Sequence, residues 1–528
     1  MRKQFYFISF GVFAIAGLVS YFLPIFLYSF FILIPVFVVG VSDTFQKRKA
    51  VLRNFPVIGH FRYMFEAIRP EIQQYFVEDD VNGTPISREF RSVVYQRAKS
   101  ELDTVPFGTQ RNVYDVGYEW ANHSIAPRHV DPKSIRVVVG GPDCSKPYSA
   151  SPFNISAMSF GALSNRAILS LNGGAKLGNF YHNTGEGGLS DYHKEPGGDV
   201  VWQIGTGYFG CRNRDGTFSS EMFKDNVAYP HVKMVEIKLS QGAKPAHGGI
   251  LPAAKITPEI ARIRGVELGK DVISPPFHKE FNTPIGLLKF VEKLRTLSGG
   301  LPVGFKLCVG HPHEFIAIAK AIMETSIYPD YIAVDGGEGG TGAAPLEFSN
   351  SLGTPLDEGL VFVHDVLTGF GIRDKIKIVS TGKIITAFQI LNKMALGADI
   401  AASARGMMLA LGCIQARRCN SNHCPVGVAT QDPSLVKGLD VTDKTHRIFN
   451  YHRKTIDALA ELMGAIGVES PAEINRSHIN RRISRMEVKT YEDIYPSVGV
   501  RSFLSRDIPE KFKPLLSAAL SDSFKKVA

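Results

Sequence analysis

The pattern of hydrophobic and polar positions first separates an apolar amino-terminal segment from the rest of the chain. Every residue between Lys3 and Asp43 is uncharged, and most are aliphatic or aromatic. One straight helix of this length would measure about 58 Å, roughly twice the hydrocarbon thickness of a bilayer. Because Pro24 interrupts the segment near its middle, the pattern predicts two short transmembrane helices that form a hairpin over residues 1–42.

Basic residues flank this segment on both sides. Arg2 and Lys3 precede it, and four basic residues follow it between positions 47 and 53. Since such flanks favour the cytoplasmic side, we expect a multi-pass protein of the cell membrane whose main body is cytoplasmic. Residues 1–53 supply half of the formal net charge of +10. The basic balance is therefore explained by the membrane flanks, and we do not expect nucleic-acid binding.

Beyond residue 150 short apolar runs recur, several of them followed by a stretch with helical character. Eight runs in this alternation predict an α/β fold, a (β/α)₈ TIM barrel over residues 151–430. A doubly wound open sheet is the competing fold, but no GxGxxG turn opens an early βα unit. We interpret residues 43–150 as a lead-in segment packed on the barrel and residues 431–528 as a helical carboxy-terminal extension. The runs span residues 155–159, 180–184, 200–204, 234–239, 303–307, 331–334, 376–380 and 399–403.

Half of the six cysteines lie within twelve residues, as Cys413, Cys419 and Cys424, and Pro425 follows the last of them. This spacing favours iron–sulfur ligation over disulfide formation. Three thiolates can hold a three-iron cluster, or a four-iron cluster with one iron left open. The alternatives are a zinc site completed by His423 and three unrelated buried thiols. A cluster would relay electrons, would need a reducing compartment, and implies a redox partner.

Glycine-rich and polar segments follow predicted strands six, seven and eight. Residues 335–345 contain five glycines, so backbone amides there can approach a flat ring or a phosphate closely. With residues 380–383 and 403–406, this loop indicates the phosphate site that such barrels build after strands seven and eight. We expect a phosphorylated cofactor, FMN before pyridoxal phosphate. Lys306 on strand five would stabilise negative charge on a reduced flavin, and its alternative role is a buried salt bridge.

Loops after predicted strands two and four carry a carboxylate and several cations. Converging cations suit a dicarboxylate substrate, and an arginine can hold a carboxylate through two parallel hydrogen bonds. His247 lies in the same loop and is either an acid–base group or a hydrogen-bonding bystander. The residues of this group are Glu186, Lys238, Gln241, Lys244 and Arg264.

Several of these motifs, in this order, resemble the flavin domain of glutamate synthase. The resemblance implies a (β/α)₈ barrel that binds FMN and a [3Fe–4S] cluster, with Cys413, Cys419 and Cys424 as its metal ligands. It also implies that Lys244 and Arg264 hold 2-oxoglutarate. The motifs that carry the resemblance are residues 156–164, 183–188, 241–245, 271–276, 339–345 and 413–431.

The implied reaction condenses 2-oxoglutarate with ammonia to 2-iminoglutarate, which reduced FMN converts to L-glutamate. The catalytic candidates are Lys244, Glu186 and Lys238, and the substrate-binding candidates are Arg264, Gln241 and Lys244. Electrons would arrive through the cluster. The cofactor-binding candidates are Met158, Ser159, Gln203, Lys306, Gly337, Gly340, Thr341, Gly342, Gly382, Lys383, Ala404 and Arg405.

The sequence also departs from the large enzymes of that family. Cys144 is the first cysteine, so we expect no amidotransferase domain, and ammonia would be free or supplied by a separate glutaminase. Without a visible nicotinamide-binding Rossmann motif, electrons are expected from ferredoxin or a separate NAD(P)H-dependent reductase subunit.

The substrate loop differs in detail as well, because Ile250 removes a polar contact that the large enzymes typically have there. Ile250 and His247 motivate an alternative, a flavin-dependent oxidoreductase acting on another 2-oxo or 2-hydroxy acid. A third interpretation, motivated by the hairpin, is a membrane-anchored electron-transfer subunit without chemistry of its own.

Overall fold

Two units make up the protein, one formed by residues 1–88 and the other beginning at Glu89. The structure is a computed structural model and describes residues 1–527. Each unit has its own internal contacts and is described separately below.

The amino-terminal unit begins with two antiparallel apolar helices. The ring of Phe37 on the second helix lies 5.9 Å from that of Phe5 on the first, and the Tyr6 hydroxyl hydrogen-bonds to Thr44 Oγ1 at 2.8 Å. The two helices and the break near Pro24 that the sequence predicts are confirmed. The helices are Arg2–Phe22 and Phe30–Phe45, joined by the 3-10 turn Pro24–Ser29.

Both helical segments are long and apolar enough to cross a bilayer, with mean hydropathies of 1.9 for Arg2–Phe22 and 2.5 for Pro24–Phe45. Most of their surface is exposed in the structure. Three shorter elements complete this unit: the helices Ala50–Asn54 and Gly59–Ile72, and the π-type turn Gln73–Val77.

Eight parallel strands close into a barrel in the second unit, so the predicted fold class is confirmed. Each strand pairs with its sequence neighbour, and β8 returns to β1 through the register Ala401↔Phe153. All eight predicted runs overlap the observed strands within a few residues. The strands are β1 Phe153–Ile155, β2 His182–Asn183, β3 Val200–Ile204, β4 Val232–Lys238, β5 Val303–Leu307, β6 Tyr331–Asp335, β7 Lys377–Thr381 and β8 Ile400–Ser403.

Helices surround the barrel, and several begin at a side chain that accepts a backbone hydrogen bond. Ser164 caps the helix after β1 by accepting from the Ala167 N–H, and Thr386 with Gln389 forms a capping box before the helix after β7. The main helices that follow the barrel strands are Asn165–Gly178, Ser220–Val227, Pro258–Arg264, Pro284–Leu297, Pro312–Thr325, Leu356–Gly369, Ala387–Ala395 and Arg405–Ala410.

The barrel interior is apolar at its amino-terminal end and polar at its carboxyl end. Tyr331, Val201 and Met234 belong to a buried cluster that also contains Val139 and Tyr148, from the antiparallel strands Val137–Val139 and Tyr148–Ala150. Because the side chains of a strand alternate between its two faces, Met234, Glu236 and Lys238 all face the barrel interior. The polar side chains are thus gathered at the end where barrel enzymes place their chemistry.

The carboxy-terminal tail begins with the long helix Val441–Ala465, which packs against Asn165–Gly178. Beyond the helix, two strands that the sequence did not suggest, Ile479–Arg482 and Val488–Thr490, pair in an antiparallel sheet with Glu119–Ala121. The predicted helical extension is therefore helical at its start and partly strand further on.

A buried ion pair fastens this tail to the barrel, and we expect its loss to destabilise the protein. Arg476 donates to Asp365 at 2.5 Å, and the side chains are 4% and 1% exposed. The substitution Arg476→Met leaves the Asp365 carboxylate buried without its cation, which should cost about 3–5 kcal/mol of unfolding free energy. Thermal unfolding in detergent measures this effect.

Lys489→Met is the matched control, because Lys489 pairs with Glu487 at 3.2 Å on the surface. Removing an exposed pair should change the unfolding free energy by no more than about 1 kcal/mol. Equal losses in the two variants would contradict a clamping role for Arg476.

Candidate active site at the carboxyl end of the barrel

A hydrogen-bonded carboxylate forms the floor of the site inside the barrel. Oε1 of Glu236 accepts from Asn183 Nδ2 at 2.9 Å and from Gln203 Nε2 at 2.6 Å. All three side chains are buried, at the ends of β2, β3 and β4. The sequence-predicted residue Gln203 is therefore held in place by a partner, Glu236, that the sequence analysis did not single out.

Above this floor, Glu186 and Lys238 form an ion pair. Lys238 Nζ lies 2.7 Å from Glu186 Oε1 and 3.3 Å from Gln241 Oε1. Glycines flank the carboxylate, and a Cβ added at Gly249 would lie 2.5 Å from Glu186 Oε1. The loop after β4 can pass this close to the carboxylate only because it has no side chain at that position.

The charges in this group shift one another's pKa values. Burial alone would raise the pKa of Glu186, but the ammonium of Lys238, and behind it Lys244 and Arg264, lower it to about 2. Burial and the neighbouring charge of Lys238 lower the pKa of Lys244 to about 8. Glu186 is therefore a permanent anion near neutral pH, whereas Lys244 exchanges its proton in the range where enzymes work.

Arg264 is buried beside this group with part of its hydrogen-bonding capacity unused. Its Nη2 donates to the Phe160 carbonyl at 2.9 Å, and the guanidinium lies 5.1 Å from the ring centre of Phe209. Its Nε is buried without a hydrogen-bond partner in the described chain. A buried donor of this kind costs free energy unless a ligand supplies the acceptor.

Two further side chains reach from the loop after β4 toward the glycine-rich loop, residues 335–345. Gln241 Nε2 donates to the Gly340 carbonyl at 2.7 Å, and Lys244 Nζ donates to the Ala343 carbonyl at 3.1 Å. Asp335 at the end of β6 accepts from the Gly242 amide at 2.8 Å. The predicted substrate residues and the predicted cofactor loop therefore contact each other directly.

A narrow cleft opens beside the Glu186–Lys238 pair and is lined in part by Thr206, His247 and Pro275. His247 is held by a hydrogen bond between its Nδ1 and the Gly248 carbonyl at 2.9 Å. Ile250 pairs with Ile273 in a two-stranded ribbon. His247 thus lies at the site, whereas the backbone of Ile250 serves the ribbon.

Two cations lie where the loops after β7 and β8 meet. Arg405 donates to the Glu338 carbonyl at 3.2 Å, and burial lowers its pKa. Partial burial and the nearby Arg405 charge lower the pKa of Lys383, although its side chain still reaches solvent. Gly382 separates the end of β7 from Lys383. The two cations, Lys383 and Arg405, suit an anionic group such as a phosphate.

Lys306 on β5 is the most isolated charge in the barrel. It is 5% exposed, and within residues 1–527 no acceptor lies at hydrogen-bonding distance from its ammonium group. The salt bridge considered as its alternative role is therefore not formed in the structure. An ammonium without a protein acceptor at this barrel end is available to an anionic ligand.

The remaining predicted cofactor residues lie around the same barrel end. The Met158 amide contacts the Asn183 carbonyl at 3.4 Å, and Ser159 Oγ lies 3.4 Å from Arg264 Nη2. Thr341 Oγ1 donates to the Ala343 carbonyl at 3.1 Å. The others are Gly337, whose amide donates to Thr354, Gly342, which has open space around it, and Ala404, which precedes the helix Arg405–Ala410.

The cysteine loop, residues 413–424, holds three free thiols. Burial, and then the charges of Cys419 and Cys424, raise the pKa of Cys413 to about 11, so the three sulfurs are within electrostatic reach of one another. Within residues 1–527 no three His, Cys, Asp or Glu side chains converge closely enough to hold a single metal ion. The zinc site considered from the sequence is therefore not formed.

Lys255, which the sequence analysis missed, fastens the cysteine loop to the barrel. Its buried ammonium donates to the carbonyls of Cys419 at 2.7 Å, Ala429 at 2.8 Å and Ala162 at 3.2 Å. Burial lowers its pKa, and the thiols of Cys419 and Cys424 oppose that shift. Since Ala162 follows β1, one side chain joins the rim of the candidate site to the thiols.

With the geometry in place, the chain can be compared with known proteins. A family model described as the conserved region in glutamate synthase matches residues 129–469. The glutamate synthase large subunit-like protein YerD of Bacillus subtilis is 39% identical over 482 residues, covering 83% of this chain and 91% of YerD. The archaeal glutamate synthase [NADPH] of Methanocaldococcus jannaschii is 34% identical over 61% of this chain and 60% of its own length.

Among solved structures, a variant of flavocytochrome b2 aligns with a TM-score of 0.42 and 12% sequence identity, covering 80% of this chain and 93% of that one. The family model and the relatives together define this chain as an oxidoreductase enzyme of the glutamate synthase type. By sequence it belongs to the glutamate synthase family.

The site geometry predicts that Lys244 has an unusually acidic ammonium group. The pKa of Lys244 is about 8, so half of the Lys244 side chains are unprotonated at pH 8. An ordinary lysine has a pKa of about 10.4. Pulse acetylation of the full-length protein between pH 6 and 10, read by mass spectrometry, should give a midpoint near 8 for Lys244. Lys270, whose pKa is raised by its bond to Glu267, is the internal control, and a shared midpoint would contradict the assignment.

Proposed function

We propose that this protein is an FMN and iron–sulfur oxidoreductase that forms L-glutamate from 2-oxoglutarate, ammonia and externally supplied electrons. One observation carries the proposal. The buried cations Lys244 and Arg264 lie beside an ionised Glu186–Lys238 pair, and Arg264 Nε has no partner in the described chain. In a chain of the glutamate synthase family, a dicarboxylate is the ligand that such a cluster suits.

In the proposed complex, each of these two cations takes one carboxylate of 2-oxoglutarate. Arg264 offers its unpartnered Nε and the rest of its planar guanidinium group, whose parallel N–H donors match the two oxygens of a carboxylate. Lys244 has one observed acceptor, the Ala343 carbonyl, and an ammonium group has three donors. Lys238 remains with Glu186, because separating a buried pair leaves both charges unpaired.

Proton transfer in the proposed reaction falls to Lys244. Condensation of ammonia with the 2-oxo group expels water, and the departing hydroxyl needs a proton. Lys244 has a pKa of about 8 without a ligand, and a bound carboxylate would raise it, so Lys244 would be protonated in the complex and could donate to the departing hydroxyl. Glu186, with a pKa of about 2, has no proton to give and instead stabilises the cationic side of the iminium through its charge.

The cofactor residues fit FMN in three respects. Lys383 and Arg405 would hold the phosphate, the glycine-rich loop would let the backbone approach the ring, and Lys306 would face its electron-rich edge. Bound there, FMN would supply hydride transfer to the imine carbon. Lys306 is 5% exposed and has no ion-pair partner in the described chain, so its ammonium is available for the flavin ring.

The cysteine loop fits a [3Fe–4S] cluster held by Cys413, Cys419 and Cys424. The support for this assignment is that three free thiols lie on one loop and that the charges of Cys419 and Cys424 raise the pKa of Cys413. Lys255 would stabilise the negative charge of the cluster and of its thiolates. Bound there, the cluster would pass electrons to the flavin.

The partners follow from what this site needs. Electrons would come from ferredoxin or a separate NAD(P)H-dependent reductase, and several relatives of this chain, such as the archaeal glutamate synthase of Methanocaldococcus jannaschii, carry NADPH in their names. Arg417 and Arg418 are exposed on the cysteine loop, which suits an acidic electron carrier. Ammonia would be free or come from a separate glutaminase, and the apolar hairpin would anchor the protein in the cell membrane with its catalytic body in the cytoplasm.

Anaerobic turnover of the detergent-purified protein tests this function. With a low-potential donor, 2-oxoglutarate and ammonium, we expect L-glutamate, and we expect Arg264→Lys to lower kcat/KM for 2-oxoglutarate about 10–100-fold through the loss of charged hydrogen bonds. Arg262→Lys, in the same helix Pro258–Arg264 but exposed, is the matched control and should be neutral. Turnover of a different 2-oxo acid, with none of 2-oxoglutarate, would instead support the alternative substrate.

The cluster assignment predicts a separate effect of Lys255. Lys255→Met removes three hydrogen bonds and a buried charge next to the cysteine loop, so iron should be retained about 10–100-fold less tightly. Iron content and the low-temperature EPR signal measure this. Lys255→Arg should recover much of the signal, and Lys270→Met, an exposed lysine on the loop before Asp271, should leave it unchanged. An unaltered EPR signal in Lys255→Met would contradict the role of Lys255.

A further inference from the structure

The helix Gly59–Ile72 in the amino-terminal unit presents an apolar face that nothing in the described chain covers. Its apolar residues recur at helical spacing and therefore share one side of the helix. They are between 38% and 56% exposed, and Gly59 is the one buried residue of the helix. The residues of this face are Phe61, Met64, Phe65, Ile68 and Ile72.

Such a helix is not expected to be stable by itself in water. Fourteen residues measure about 21 Å and are marginal as an isolated helix, because helices in proteins gain most of their stability by packing an apolar face. The exposed apolar surface continues into the π-type turn Gln73–Val77, where Phe76 is 83% exposed. An apolar surface of this size indicates a binding partner.

The start of the helix is fixed to the end of the apolar hairpin. Asp43, buried near the end of the second hairpin helix, accepts from the Val57 amide at 2.9 Å and contacts His60 Nε2 at 2.9 Å. Lys49 Nζ lies 4.3 Å from the ring centre of Tyr63. The apolar face therefore begins next to the place where the hairpin would leave a bilayer.

The charge of this region indicates the chemistry of the surface it meets. Residues 46–72 contain six basic and two acidic side chains. Arg62 and Arg69 lie beside the apolar face, at about 100° and 80° from Phe61 around the helix axis at 100° per residue. An amphipathic helix with basic residues at the edge of its apolar face matches the anionic headgroups and upper acyl chains of a bilayer.

We propose that the helix Gly59–Ile72 lies in the interface of the bilayer that the hairpin spans, with its apolar face in the acyl region and its arginines on anionic headgroups. The proposal rests on the proposed membrane location of the hairpin. A surface helix joined to the hairpin by the Asp43 contacts would keep the chain at the membrane as it leaves the second span. The hairpin would then be the anchor, and the surface helix would restrict the direction in which the rest of the chain departs.

A photo-crosslinking experiment on the full-length protein tests this placement. The photoreactive residue p-benzoylphenylalanine replaces Phe65 on the apolar face, or Glu66 on the opposite side, in vesicles of phosphatidylcholine with about one third phosphatidylglycerol. We expect lipid adducts at position 65 at several times the yield at position 66, read by mass spectrometry. In vesicles of phosphatidylcholine alone, the yield at position 65 should fall severalfold, because the headgroup charge is missing.

A third position, Ile32 within the second hairpin helix and 70% exposed, separates this proposal from the membrane hairpin. Lipid adducts at positions 32 and 65 support both. Lipid adducts at position 32 together with only protein adducts at position 65 would contradict the proposed surface helix. They would show that the apolar face packs against a second copy or another part of the chain. The absence of lipid adducts at 32 shows that the hairpin proposal itself has failed.

Discussion

The ion pair between Glu186 and Lys238 is the interaction on which the candidate site depends. Both groups are largely buried, and the bond joins the loop after β2 to the end of β4 at 2.7 Å. A buried pair gives little net stability, but the loss of either partner is costly, so the pair fixes the geometry of two loops. It also neutralises one cation and leaves Lys244 and Arg264 without dedicated carboxylate partners. Lys244 and Arg264 therefore remain available to bind an anionic ligand.

Long-range contacts of single side chains connect this site to the cysteine loop. Arg264 reaches back to the Phe160 carbonyl, and Lys255 reaches the Ala162 carbonyl two residues further along the same loop. Lys255 and Arg264 lie within ten residues of each other in sequence. The segment that carries them therefore contacts the candidate substrate site with one cation and the backbone of the cysteine loop with the other.

The sequence predicted the barrel because its strands are apolar on both faces and recur with helices between them. The placement of β1 was less accurate. The predicted run begins at 155, whereas the strand is Phe153–Ile155, because Asn154 appears polar in the sequence but is buried, with its Nδ2 on the Ser151 carbonyl at 2.6 Å. The tail strand Ile479–Arg482 was missed because it is mostly polar and is stabilised by pairing with the distant strand Glu119–Ala121.

The sequence predicts those site residues that lie together in short motifs. It does not predict the residues that only tertiary contacts bring to the site. The loops after β2, β4 and β6 carry glycines and charges in short stretches, and the structure brings Glu186, Lys238, Gln241 and Lys244 together. Glu236 and Lys255 gave no such signal. Glu236 lies inside an apolar strand and is satisfied by Asn183 and Gln203, and the three acceptors of Lys255 are up to 174 residues away. The hydrogen-bond partners of Glu236 and Lys255 are visible only in the folded structure.

The charges at the barrel end suggest why one pocket can serve both an anionic substrate and a flavin. Glu186 and Lys238 neutralise each other, and in the proposed complex Lys244 and Arg264 would bind the two carboxylates of 2-oxoglutarate. Lys306 then remains, buried and unpaired in the described chain, as the cation for a ring that gains negative charge on reduction. An empty pocket would hold unpaired cations in a low-dielectric interior, and each of the two ligands would lower that cost.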